Sequence, residues 1–109
     1  MNVELYFWQR LTAAIMAPLL LIHLALIFYA TSRGLVAADI LQRTRGSIAW
    51  ASFYGSFVVA AAVHAPIGLR SILQEWTPLG PRARDLTALC LGLLLVVLGL
   101  RAVYAVVRT

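Results

Sequence analysis

Apolar positions gather into three long blocks along the chain. Leu11 to Ala30 is interrupted only by Thr12 and His23, Ile48 to Leu69 carries Ser52, Ser56 and His64, and Leu86 to Val107 has one charge, Arg101. Each block is about twenty residues, which at roughly 1.5 Å rise per residue crosses a hydrocarbon core of about 30 Å. The pattern predicts three transmembrane helices at about 8–30, 48–74 and 86–107, an all-α integral membrane chain in an antiparallel up-down-up bundle. The first connection, "TSRGLVAADILQRTRGS", is expected to place an interfacial helical turn at Val36 to Leu41. In the second, "QEWTPLGPRARD", Pro78, Gly80 and Pro81 stop the helix and Asp85 is positioned to cap the next one.

Composition agrees with a membrane class: of 109 residues, 62% are hydrophobic and only 12% charged. The short connections leave no room for a soluble core, so residues 1–109 are expected to form one transmembrane domain. Glu4 without a basic cluster, and an apolar run too long for a signal sequence, argue against a cleaved leader. The lone Cys90 cannot form an intrachain disulfide and is expected to be a small packing residue. All nine basic residues are arginines, giving a net charge of +5. They are scattered over helix ends and loops, which suits lipid headgroups or anionic cofactor groups and not nucleic acid. Arg10, Arg70, Arg82 and Arg84 fall on one side and Arg33, Arg43, Arg45 and Arg108 on the other, so charge does not set the orientation.

Ionisable groups inside a membrane usually face a partner, a cavity or a cofactor, which singles out His23 and His64. Imidazole nitrogen is a good ligand for haem iron. Around His64, Ala60, Ala61 and Gly68 share its helical face and leave it low in bulk. Such a clearing suits a flat macrocycle, and equally a closely packed helix with His64 hydrogen-bonded to it. His23 sits among the bulkier Leu19, Leu20, Leu26 and Ile27, where a second haem ligand, a hydrogen bond to a neighbouring helix and a place near the far interface are all open. Pro18 and Pro66 each remove a backbone bond, which membrane helices tolerate. By depth, His23 lies about 22 Å along its helix from Trp8 and His64 about 15 Å from the same side. Two haems at different levels, each with its second ligand from another chain, therefore fit better than one haem held by both.

Polar groups collect at one end. Gln9, Arg10 and Thr12 open the first helix, and Arg70, Ser71, Gln74, Glu75 and Trp76 close the second. Ser71 and Glu75 continue the His64 face toward the interface. These donors would suit a quinone's carbonyl oxygens or haem propionates, while arginine and tryptophan at such a boundary also serve as snorkelling anchors.

The arrangement resembles the membrane-anchor subunits of succinate dehydrogenase and fumarate reductase. "WQRLTA" is similar to their Arg-x-Ser/Thr-Gly/Ala motif, and "HAPIGLRSILQEW" to their His-x-x-x-Gly-(Ile/Leu/Met)-x motif followed by an acidic-aromatic pair. The resemblance covers nearly the whole chain and is closest to the smaller three-helix anchor. It implies a bundle with a second anchor chain, a different subunit or a copy of this one, that binds haem b and ubiquinone or menaquinone. It also implies a bacterial-type inner membrane, and a flavoprotein and an iron-sulfur protein docked on the motif side. By position, His64 becomes a haem ligand, Arg10 a quinone or propionate contact, and Glu75 with Trp76 the acidic-aromatic pair near the quinone. The interval of 41 residues between His23 and His64 is similar to the ligand spacing of dihaem members. Gln9 and Ala13 stand where larger anchors have histidine and glycine, and Trp76 stands where tyrosine is usual.

The chain has no dinucleotide motif and no cysteine cluster, so flavin and iron-sulfur chemistry would belong to partners. The competing reading is a haem-free structural anchor or small membrane scaffold. A small multidrug-type transporter is disfavoured because its deep acidic residue is missing, Glu75 lying at a boundary.

Overall fold

In lipid every backbone N–H and C=O needs an internal partner, and a helix supplies one within its own segment. The computed structural model describes residues 3–108 and shows four helices: α1 (Val3–Arg33), α2 (Ala37–Thr44), α3 (Ile48–Trp76) and α4 (Pro81–Val107). Helices α1, α3 and α4 are long and apolar enough to cross a membrane, and no strand occurs among the described residues. Each exceeds its apolar block, because hydropathy marks the part of a helix that suits lipid and not the polar turns that extend it.

Two expectations about α4 are corrected. Gly80 occupies the N-cap and Pro81 the first helical position, where its missing N–H is no loss. Asp85 therefore caps nothing. One turn inside α4, it accepts a 2.6 Å bond from Arg70 Nε on α3. Cys90 is exposed on α4 and not packed within the chain.

The first connection is more ordered than a single interfacial turn. Gly34, at φ +64°, ends α1 in the left-handed conformation that glycine adopts without penalty, and Leu35 N–H bonds Ala30 C=O at 3.0 Å. Eight residues of α2 follow in place of the expected Val36 to Leu41, with Val36 N–H donating to the Asp39 carboxylate at 3.0 Å. The end of α2 then seals α4. Thr44 Oγ1 donates to Val106 C=O at 2.5 Å, and Gly46 N–H, on a residue at φ +69°, donates to Val107 C=O at 2.7 Å. These are carbonyls that the last turn of a helix leaves without partners. Thr44→Val keeps the shape and removes one bond, so the chain should lose about 1 kcal/mol, measured by thermal unfolding in detergent.

Helix α3 is central, with α1 and α4 packed antiparallel on it and no extended contact between those two. Side chains buried between helices are small: Ala60, Ala62 and Ala88 among apolar residues, Thr12 and Thr44 among polar ones. Large side chains such as Leu21, Phe28, Val97 and Tyr104 point outward. This is the packing of helices whose surroundings are as apolar as their interfaces, where close backbone approach replaces a hydrophobic core. At Gly92 an added Cβ would lie 3.2 Å from the Pro66 ring and 3.5 Å from Ala62 C=O. That carbonyl is the one Pro66 leaves without its helical donor.

Candidate functional site

Along α1, Leu5, Gln9, Thr12, Met16, Leu19, His23, Leu26 and Ala30 are buried or half-buried, and every residue between them is exposed. The alternating steps of four and three define a seam for left-handed helix packing. Three of its members are polar: Gln9, Thr12 and His23. Each meets a distinct level of α3.

Gln9 lodges against Gly68, where a Cβ would come within 3.3 Å of its Nε2. Part of the small-residue clearing around His64 is thus filled by α1 itself. One turn deeper, Thr12 is 4% exposed and its Oγ1 lies 3.1 Å from His64 Nδ1. The same oxygen is 2.7 Å from Trp8 C=O and 3.2 Å from Gln9 C=O. No partner bonds His64 Nε2 among the described residues. An open groove of roughly 590 Å³ runs beside Thr12, Ala60 and Val63.

His23 lies at another level. Its ring meets Tyr54 and Phe57 edge-on, with centroids 6.0 Å away in both cases. Its Nδ1 is buried without a hydrogen-bond partner. The ring lines an open cavity of about 340 Å³ walled by Tyr54, Phe57, Gly99 and Ala102, with Thr44 of α2 also lining it. Thr12 and His23 are eleven residues apart on α1, about 16 Å along a helix. The two imidazoles of one chain therefore cannot reach a common iron.

The boundary residues share one end of the molecule without converging. Arg10 is exposed outside the seam, with its guanidinium 5.5 Å from the Tyr6 ring centre. Arg70 is held by Asp85, beside a groove of about 620 Å³ that Glu4 and Pro66 also line. Ser71 is half-buried, Glu75 is exposed, and Trp76 is 80% exposed. No hydrogen bond or ion pair joins Arg10 to these α3 residues among those described.

An axial haem ligand needs one free imidazole nitrogen and a fixed ring. His64 fits this, with Nδ1 held by Thr12 and Nε2 unbonded among the described residues. His23 offers a ring packed by aromatics but not oriented by any hydrogen bond among the described residues. No cluster of three or more His, Cys, Asp or Glu occurs among the described residues, so the two separate imidazoles are the relevant donors. The pairings of Thr12 with His64 and of Asp85 with Arg70 were not legible in sequence, which placed Thr12 only among the polar groups opening the first helix and Asp85 only as a cap. The signal for Thr12 is its phase, since Gln9, Thr12 and His23 follow one heptad register.

Three long apolar helices, with Gln9, Thr12 and His64 at one level of the α1–α3 seam and His23 at another, define a multi-pass integral membrane protein. The family model for the succinate dehydrogenase/fumarate reductase transmembrane subunit matches residues 1–102. The chain belongs to that family. No curated protein and no solved structure matches it significantly.

Proposed function

We propose that this membrane-anchor subunit binds haem b through His64, contributes His23 to a second haem site, and helps form a quinone site in a succinate:quinone oxidoreductase. The observation that carries this reading is the imidazole of His64, inside a membrane span with Nδ1 bonded and Nε2 without a partner among the described residues. When bound, haem b supplies a one-electron relay or reservoir between the iron-sulfur protein and quinone. The chain's own part is to hold and orient. Thr12 fixes the ring of His64, Tyr54 and Phe57 pack His23, and the α1–α3 pair carries the two imidazoles at separate depths, His23 on α1 and His64 on α3.

At the boundary, Arg10, Arg70, Ser71, Glu75 and Trp76 supply donors and charge for a quinone carbonyl or a propionate. Flavoprotein and iron-sulfur subunits dock at this end, a second anchor chain supplies the remaining haem ligands and walls, and the assembly sits in a bacterial-type inner membrane. The reduced-minus-oxidised spectrum of the purified complex tests the reading through its b-type bands.

Arg10 is exposed and has no carboxylate partner among the described residues, which leaves its charge available to a ligand. Arg10→Ala should slow quinone reduction by about tenfold, the loss of one charge-assisted hydrogen bond, while haem content is unchanged. Quinone kinetics and inhibitor response check this.

The haem-free anchor is favoured by one observation, that Thr12 already gives His64 a hydrogen-bond partner. It predicts a colourless complex in which glutamine replaces either histidine without effect.

A further inference from the structure

We propose that Thr12 is a positioning residue for haem binding: its hydroxyl holds His64 as the Nδ1–H tautomer, so that Nε2 presents its lone pair to iron. This rests on the reading of His64 as a haem ligand. A neutral imidazole carries one ring proton, and which nitrogen holds it decides whether Nε2 is a ligand or a donor. The position of that proton follows from where the Thr12 proton goes.

Thr12 has one hydroxyl proton and three polar neighbours: Trp8 C=O at 2.7 Å, Gln9 C=O at 3.2 Å and His64 Nδ1 at 3.1 Å. The carbonyls can only accept. Trp8 C=O is the nearest, and a bond from a threonine hydroxyl to the carbonyl four residues back is a standard helical geometry. With the hydroxyl proton on that carbonyl, Thr12 Oγ1 faces His64 with a lone pair, and Nδ1 must be the donor.

The opposite assignment would take the hydroxyl proton from the shorter contact for the longer one. It would also leave Nε2 protonated and unable to bind a metal. Burial strengthens the constraint. Thr12 is 4% exposed in the α1–α3 seam, so no water competes for its oxygen, and a buried hydroxyl is costly to leave unpaired. Threonine adds a methyl group that packs in the same seam. The pair thus resembles the outer hydrogen bond that orients metal-bound histidines generally, with a hydroxyl where a carboxylate or carbonyl is common.

The test uses the complete complex with Thr12→Val, which is isosteric and lacks the hydroxyl, and Thr12→Ser, which restores it. Haem is quantified as pyridine haemochrome against protein mass, and the haem midpoint potential is measured by redox titration. Loss of the acceptor weakens the imidazole as a donor. Thr12→Val should therefore bind haem about tenfold or more weakly, and any haem retained should have a more positive potential. Thr12→Ser should restore wild-type values in both measurements. Succinate oxidation with a soluble acceptor reports assembly and should be unchanged in both variants.

Wild-type haem retention and potential in Thr12→Val, with haem lost in His64→Ala, would overturn the role of Thr12 and leave the ligand assignment standing. Haem retained in His64→Ala would overturn both. Equal losses in Thr12→Val and Thr12→Ser would show that the seam's packing matters and the hydroxyl does not, and that too would overturn the proposal.

Discussion

His64→Ala should remove the low-spin haem signal assigned to this ligand from the purified complex, while succinate oxidation with a soluble acceptor continues. Alanine offers no nitrogen to iron, and α3 has no second imidazole within reach of the same level. The fold should tolerate the change. Thr12 keeps its 2.7 Å bond to Trp8 C=O, so no buried hydroxyl proton is stranded, and Gln9 keeps its seat against Gly68. Flavin and iron-sulfur chemistry lie in other subunits under the proposed assignment, so the dehydrogenase reaction is separable from the haem. His23→Ala serves as the internal control. Eleven residues deeper than Thr12 on α1, it should leave the His64-dependent signal in place. Optical and low-temperature paramagnetic resonance spectra distinguish the two variants, and an unchanged spectrum in His64→Ala would remove the basis for haem ligation here.

The three spans were legible because lipid imposes a length and a composition that few other environments require. Three features were not. The α1 seam is concealed by its surroundings: Ile15 and Leu20, exposed, are as apolar as Met16 and Leu19, in the seam. No amphipathic contrast marks the packed side, and only the polar members Gln9, Thr12 and His23 betray the register. Proline also signals ambiguously. Pro81 ends one helix pattern and equally begins another, and only the backbone shows that it opens α4 and frees Asp85 for Arg70. The third feature is α2, whose end bonds the last carbonyls of α4, more than sixty residues away in sequence. A local reading has no access to such a contact. The two histidines, in contrast, stood out at once, because an ionisable side chain in an apolar span needs a reason to be there.

Replacing Gly99 with alanine should loosen the α3–α4 interface, and more than the same change at Gly92. An added Cβ would lie 2.5 Å from Val58 Cγ1 and 2.9 Å from Cγ2, with Val58 Cβ at 3.2 Å, so both branches of that side chain meet it. Valine in a helix has one strongly preferred rotamer, and turning it does not clear the space when Cβ itself is crowded. The helices must separate or the backbone must shift, at an expected cost of about 1–3 kcal/mol. The consequence reaches His23, because Gly99 and Val58 wall the cavity that its ring lines. Gly99→Ala should therefore lower the thermal stability of the complex and perturb any spectral feature that depends on His23, while features that depend on His64, six residues beyond Val58 along α3 and outside that cavity, change less. The compensating variant isolates the cause. Val58→Ala removes both clashing methyl groups, so the Gly99→Ala, Val58→Ala pair should be more stable than Gly99→Ala alone, a coupling that a double-mutant cycle measures directly. Independent, additive losses would mean that the close approach at Gly99 is not what sets the spacing of α3 and α4.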